Sequence, residues 1–153
     1  MDTSTLSTQE ILSRLAAFEQ KCRRNGLRVT NQRREIFKAV ATSRMHPSAE
    51  EVFETVRQKI NNVSLDTVYR TLTSLEQMDL LIRVGTAQKE RFDGDLRPHA
   101  HFICNRCGFV QDIFPPDVSC EAKPAVLNYG EVKHVNIQFK GICKRCECKR
   151  TVF

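Results

Sequence analysis

The sequence predicts an α+β protein with helices in its first half and short strands in its second. Three observations predict it. Four Ser or Thr residues each stand just before a segment whose apolar residues recur at helical spacing. Beyond residue 98 the spacing changes to that of short strands. Four of the seven cysteines form two matched pairs, Cys104-Asn-Arg-Cys107 and Cys143-Lys-Arg-Cys146, separated by 35 residues.

Taken in order, Ser7-Thr8-Gln9-Glu10 is a capping box, followed by Leu12, Leu15, Ala16 and Phe18, with Asn25-Gly26 as a stop. Thr30 caps a second helix carrying Ile36, Phe37, Val40 and Ala41. Ser48-Ala49-Glu50-Glu51 opens a third, with Val52, Phe53, Val56 and Ile60. Ser64 caps a fourth, with Val68, Leu72, Leu75 and Met78 along one side. Leu80–Val84 and Lys89–Phe92 read as two short strands around Gly85. Helices followed by a small β-ribbon are the plan of a winged helix-turn-helix, whose fourth helix would be offered to a DNA major groove. The second half predicts strands over His101–Cys104, Phe109–Phe114 and Glu131–Phe139, the last alternating at Val135, Ile137 and Phe139. Pro115-Pro116 stops the middle strand, and a short helix is expected over Ser119–Leu127. Asp93 to Pro98 is a polar hinge. The expected domains are therefore residues 1–92, a hinge at 93–98, and residues 99–153.

Each C-x2-C pair can put two thiolates on one side of a tight turn. Two such turns together surround one ion with four sulfurs, the environment of structural zinc. Such a metal would help fold this half of the chain, because its ligands must deprotonate and assemble. Two disulfides or a redox C-x-x-C are the alternatives, but a redox motif needs one pair near a βαβ pattern rather than two matched pairs. His99-Ala100-His101 immediately precedes Cys104. In an extended segment residues two apart face the same side, so this is either a metal-binding pair or a surface pair. Asp93 and Asp95 lie upstream, Asp112 lies in the next strand, and His46 sits between the second and third helices.

Net charge is +6, which suggests an acidic partner. Residues 21–44 hold eight Lys or Arg against one acid, Glu35; such a run is either a solvated face or a nucleic-acid surface. No apolar run approaches the length of a membrane span and the N-terminus does not read as a signal peptide, so a soluble, cytoplasmic protein is expected. Cys22, Cys120 and Cys148 are left over. An odd cysteine total with thiolate ligands fits a reducing compartment.

Three further segments lie in sequence with these: Ser64-Leu65-Asp66-Thr67-Val68-Tyr69-Arg70-Thr71-Leu72, Arg91-Phe92-Asp93, and His99-Ala100-His101-Phe102-Ile103-Cys104-Asn105-Arg106-Cys107-Gly108. With Gly141-Ile142-Cys143-Lys144-Arg145-Cys146 they make the chain resemble the ferric uptake regulator (Fur) family of bacterial metal-dependent repressors, over residues 10–147. The resemblance implies a homodimer, an N-terminal winged-helix DNA-binding domain, a C-terminal α/β dimerisation domain with the four-cysteine zinc, and a regulatory metal at the hinge.

Within that family the peroxide-sensing branch (PerR) uses three histidines and two aspartates, which fall here on His46, Asp93, His99, His101 and Asp112. Iron sensors more often carry glutamate at the positions of Asp93 and Asp112. Pro98 and Ala100 stand where two ligands of an additional metal site usually lie, and only His134 remains of a His-His pair there. A set of imidazoles and carboxylates suits Fe(II) or Mn(II) and can leave a coordination position open. The resemblance implies that peroxide then oxidises His46 or His99 to 2-oxo-histidine, releasing metal and DNA. Iron-responsive repression, or sensing of zinc or another metal, is the alternative.

For DNA, the resemblance puts Tyr69 and Arg70 on the exposed face of the fourth helix, reading a pseudo-palindromic operator. Ser64 and Thr67 at its N-terminus can contact phosphate. Arg28, Arg33 and Arg34 are expected as backbone clamps, with Lys89 in the wing reaching the minor groove. Packing of Tyr69 on a neighbouring helix and a solvated role for Arg33 and Arg34 are the bland readings. Two other classes stay open: a zinc-stabilised metalloenzyme, against which stands a nearly filled ligand shell with no separate general base, and a zinc-ribbon adaptor that binds protein only. No enzymatic activity is expected.

Overall fold

The computed structural model describes residues 6–115, 117, 128–132 and 135–149. They form two compact units, Met1–Val84 with Glu90–Leu96, and Gly85–Lys89 with Arg97–Phe153.

The first unit is helical because its caps and its apolar spacing agree. The helices are α1 (Thr8–Arg24), α2 (Asn31–Ala41), α3 (Ala49–Arg57) and α4 (Leu65–Gln77). Ser7, Thr30, Ser48 and Ser64 are their N-caps, and each side chain accepts the amide three residues on. Glu10 and Glu51 close the two expected capping boxes. Asn25 ends α1 and Gly26 follows at φ 67°, a left-handed position that suits glycine. Their apolar faces meet in one core of Phe18, Ile36, Val40, Val52, Leu72 and Leu75, with Phe18 stacked on Phe37 at 4.7 Å. Each such side chain contributes roughly 1.5–3 kcal/mol by leaving water. α3 stops at Arg57, short of Ile60, which nonetheless packs against this core.

Strands β1 (Ile82–Thr86) and β2 (Lys89–Asp93) pair as a hairpin. β1 lies two residues later than the sequence predicts. Leu80 and Leu81 are buried in the helical core instead, and Gly85 is inside the strand rather than at the turn. Arg83 pins the hairpin to α4. Its guanidinium binds Glu76 at 2.8 Å and Glu90 at 2.7 Å, and lies over the Phe92 ring.

In the second unit β3 (Ala100–Cys104) is the centre of a three-stranded sheet, with β4 (Val110–Ile113) antiparallel on one side and β5 (Ile137–Gly141) parallel on the other. A strand over Glu131–Phe139 is not what forms: its described residues before Ile137 are outside the sheet, and the strand runs on to Gly141. β3 is only five residues long and pairs from Ala100↔Ile137 to Cys104↔Gly141, so earlier residues have no partner on it. The expected helix over Ser119–Leu127 falls outside the described residues, as do Cys120 and His134. A five-residue helix, α5 (Lys144–Cys148), carries the end of the second cysteine pair, where the sequence predicts only a turn.

Candidate metal centres

The parallel pairing of β3 and β5 explains how two distant cysteine pairs meet. Cys104 ends β3 opposite Gly141, two residues before Cys143. The Asn105 amide donates to the Gly141 carbonyl at 2.8 Å, locking the two loops side by side. Gly108 adopts φ 75° and its amide returns to the Cys104 carbonyl at 2.9 Å, which turns the first pair back on itself. Cys143 caps α5, and the Cys146 amide donates to its carbonyl at 2.9 Å. The sulfurs of Cys104, Cys107, Cys143 and Cys146 thereby lie within 4.8 Å of one another. Cys107 and Cys143 stand 3.8 Å apart.

The electrostatics favour thiolate at Cys104 and Cys107 and oppose it at Cys146. Burial pushes the Cys104 thiol up, but amides of Cys107, Cys143 and Arg106 outweigh it and bring it down to about 6. The Cys143 amide donates to the Cys104 sulfur at 3.3 Å. The Phe109 amide lowers Cys107. Cys146 is pushed up to about 12, first by burial and then by hydrogen bonds that use it as the proton donor to its neighbours. Cys104, Cys107 and Cys146 titrate together: the first thiolate forms easily and the last is opposed by the charge already there. A divalent cation removes that opposition. Four soft donors around one point, two of them with amides already aimed at the sulfur, fit Zn(II).

The second unit also brings His99, His101 and Asp112 together. His101 pairs with Asp112 across β3 and β4. The Nε2 atoms of His99 and His101 are 3.0 Å apart, and Asp112 Oδ1 lies 3.6 Å from the first and 3.5 Å from the second. His99 Nδ1 is 2.6 Å from the Arg97 carbonyl, which can only accept. In the neutral ring Nδ1 therefore carries the proton, and Nε2 turns its lone pair toward His101 and Asp112. The His99 ring is held against Phe114 at 4.9 Å. Both histidines are buried.

In the first unit, His46 and Asp93 are buried, and their ligand atoms come within 4.8 Å of each other. Backbone pairing puts them there. The Phe92 amide donates to the Pro47 carbonyl at 3.0 Å, so the His46-Pro47 turn lies beside the end of β2. His46 sits at φ 49°, a left-handed conformation uncommon for a non-glycine residue. Asp93 Oδ1 accepts the Asp95 amide at 2.8 Å.

Of the expected DNA-contacting residues, Arg28, Ser64, Tyr69, Arg70 and Lys89 are exposed, and Arg33, Arg34 and Thr67 are half-buried. Ser64 caps α4, and its hydroxyl is 2.9 Å from that of Thr67. Tyr69 is exposed and its hydroxyl donates to Glu50 at 2.7 Å; this bond raises the Tyr69 pKa and lowers that of Glu50. Arg70 pairs with Asp66 at 3.0 Å. Arg33 donates to the Arg28 carbonyl at 2.6 Å, and Arg34 binds Glu19 at 2.6 Å. Lys89 donates to the Arg106 carbonyl at 3.1 Å. Sequence reasoning gave no role to Arg91. Its place in the Arg91-Phe92-Asp93 segment, next to a candidate ligand, was the available signal. Cys22 is buried in the helical core and Cys148 is exposed. Among the described residues no helix is long and apolar enough to cross a membrane.

Comparison with known proteins shows the family. The ferric uptake regulator family model matches residues 24–140. The peroxide-responsive repressor PerR of Staphylococcus saprophyticus is 30% identical over 129 residues, covering 83% of this chain and 87% of that protein. That of Staphylococcus epidermidis is 28% identical over 127 residues, covering 82% and 85%. Among solved structures, the Helicobacter pylori ferric uptake regulator Fur, described as having three functional metal-binding sites, is 27% identical at a TM-score of 0.72, covering 95% of this chain and 97% of that one. With a winged helical unit, a four-cysteine cluster and a family match over most of its length, the chain belongs to the ferric uptake regulator family.

Proposed function

We propose that this chain is a metal-dependent, DNA-binding transcriptional repressor that senses hydrogen peroxide through Fe(II)-dependent oxidation of a ligand histidine, His46 or His99. The observation that carries this is the cluster of buried His99 and His101 with half-buried Asp112, with the His99 lone pair turned inward by the Arg97 carbonyl. His46 and Asp93, paired in the other unit, would complete a set of three imidazoles and two carboxylates for Fe(II) or Mn(II). Cys104, Cys107, Cys143 and Cys146 would hold a structural Zn(II).

The chain's own groups divide the work. Both carboxylates are aspartates, whose short side chains keep the charge close to the backbone and crowd the ion less than glutamate. The Arg97 carbonyl fixes the His99 tautomer, and the Phe114 stack fixes its ring plane. Bound Fe(II) would supply the reduction of peroxide directly beside a ligand ring, where Mn(II) reacts poorly. Loss of an imidazole donor then weakens the grip on the ion. The names of the staphylococcal relatives support peroxide as the signal.

Residues 1–92 would act as the DNA-binding domain, 93–98 as a hinge, and 99–153 as a dimerisation domain, in a cytoplasmic homodimer. Exposed Val135, Phe139 and Ile142 support a partner surface on the second unit. On DNA, Tyr69 can meet a thymine methyl with its ring while its hydroxyl stays on Glu50. Arg70 can reach a guanine edge or a phosphate, giving up a surface pair worth at most about 1 kcal/mol. Ser64, Thr67, Arg28, Arg33, Arg34 and Lys89 would serve the phosphate backbone of a pseudo-palindromic operator.

A second reading, iron-responsive repression, is favoured by the likeness to the Helicobacter pylori Fur structure. One experiment separates them. Protein loaded with Fe(II) or Mn(II) is given brief peroxide, and operator binding and peptide mass are followed. Peroxide sensing requires release of DNA by the Fe(II) form alone, with one added oxygen on the His46 or His99 peptide. Equal responses of the two forms, or oxygen only on cysteine, would put the iron reading ahead.

A further inference from the structure

We propose that Arg91 is a positioning residue for His46: it fixes the left-handed turn that presents this imidazole to the regulatory ion. This rests on the reading of His46 as a metal ligand.

His46 is both buried and left-handed, at φ 49°. Left-handed backbone is uncommon for a non-glycine residue, although histidine adopts it more often than most, so contacts that hold the turn decide whether it persists. Two bonds from β2 hold it here. The Phe92 amide donates to the Pro47 carbonyl at 3.0 Å, and Arg91 Nη1 donates to the His46 carbonyl itself at 3.0 Å. The first is a main-chain contact that any residue at 92 other than proline would make. The second depends on the arginine side chain.

The guanidinium is anchored in turn. Its Nη1 also donates to Glu51 Oε2 at 3.0 Å, and that same oxygen accepts the Ser48 amide at 2.8 Å. Glu51 is thus the capping-box carboxylate of α3 and the counter-ion of Arg91 at once. A charged donor held between a carboxylate and a carbonyl makes a stronger and better directed bond than a neutral one. The turn from His46 to Ser48 is consequently stapled at both ends, by Arg91 on the His46 carbonyl and by Glu51 on the Ser48 amide.

The chain direction adds the functional point. Arg91 lies two residues before Asp93, so one short strand supplies a candidate ligand and the clamp on another. Outer contacts of this kind orient metal ligands, and their loss commonly weakens metal affinity by about 10–100-fold. Removing Arg91 leaves the imidazole in place chemically and frees its turn to relax from φ > 0, which moves the ring.

The test uses the full-length protein with zinc retained, comparing wild type, Arg91→Ala, Arg91→Lys and His46→Ala. Before any regulatory metal is added, hydrogen exchange at the Met45 and Ser48 amides is measured against core amides of α1. Arg91→Ala should exchange at least about tenfold faster at these two positions and unchanged in α1, because the staple rather than the core is lost. Mn(II) affinity should then fall about tenfold or more. Arg91→Lys, which keeps one charged donor without the planar fork, should recover part of both.

Wild-type exchange and wild-type Mn(II) affinity in Arg91→Ala, alongside a clear loss in His46→Ala, would overturn the role of Arg91 and leave the site intact. Faster exchange throughout α1 would reduce Arg91 to a general structural residue and likewise overturn it. Wild-type Mn(II) affinity in His46→Ala would remove the ligand itself and overturn both readings.

Discussion

Arg14→Leu should destabilise the helical unit by about 2–4 kcal/mol, a large effect for a charged residue on α1. Arg14 Nη2 pairs with Asp95 at 3.0 Å, and the two side chains retain only 17% and 10% exposure. Its Nη1 also donates to the Ala41 carbonyl at the end of α2, at 2.8 Å. The loss of that charge-assisted bond costs about 1.5–3 kcal/mol. Removing one partner of a fully buried ion pair costs about 3–5 kcal/mol, and the residual exposure lowers this toward the surface value of 0–1. Leucine keeps most of the stem's packing, so the change isolates the polar terms. The segment is also close-packed: a Cβ on Gly94 would stand 2.7 Å from the Ala41 Cα, so it cannot slide to compensate. Urea unfolding of the zinc-loaded protein, at one fixed protein concentration, gives the difference at unchanged m. Arg23→Ala is the control, since Arg23 pairs with Glu19 through a side chain that is 74% exposed. Arg14→Leu with Asp95→Leu should be less destabilised than the sum of the two, because the second change removes the stranded charge. A loss below about 1 kcal/mol, or one equal to that of Arg23→Ala, would refute the claim that burial sets the worth of this pair.

The zinc-free, reduced protein should have a stability maximum near the ordinary thiol value of 9.0. Folding lowers Cys104 to about 6, so between that value and 9.0 the unfolded chain binds the extra proton and stability climbs with pH. Cys146 is raised to about 12, so above 9.0 the folded chain holds the extra proton and stability falls. Thermal unfolding across this range checks both slopes, and a monotonic profile would contradict the opposed shifts. Arg70→Ala should leave stability within about 0.5 kcal/mol, because its pair with Asp66 is 81% and 69% exposed. The same change should weaken operator binding by about 1–3 kcal/mol if Arg70 reads a base, and equally on all sequences if it holds only phosphate. Titrations against operator and scrambled duplex at two salt concentrations separate these outcomes, and unchanged operator affinity would take Arg70 off the reading surface.

What the sequence alone determined is local or compositional. Ser7, Thr30, Ser48 and Ser64 act within one turn, so the four helix starts are legible from them. The donor types are legible too: four cysteines in two pairs name a soft site, and histidines with aspartates a harder one. Tertiary structure decided what depends on residues far apart in the chain. No local pattern announces that Cys104 stands opposite Gly141, or His101 opposite Asp112, yet these two registers assemble the thiolate cluster and the imidazole-carboxylate cluster. The bounds of β5 depend on the same kind of distant pairing. Alternation at Val135, Ile137 and Phe139 records a tendency to extend, whereas the strand exists only where β3 offers a partner. Arg14 on Asp95 and Arg91 on His46 were equally invisible, because a long cationic side chain has many possible acceptors within reach and only the packed backbone selects one.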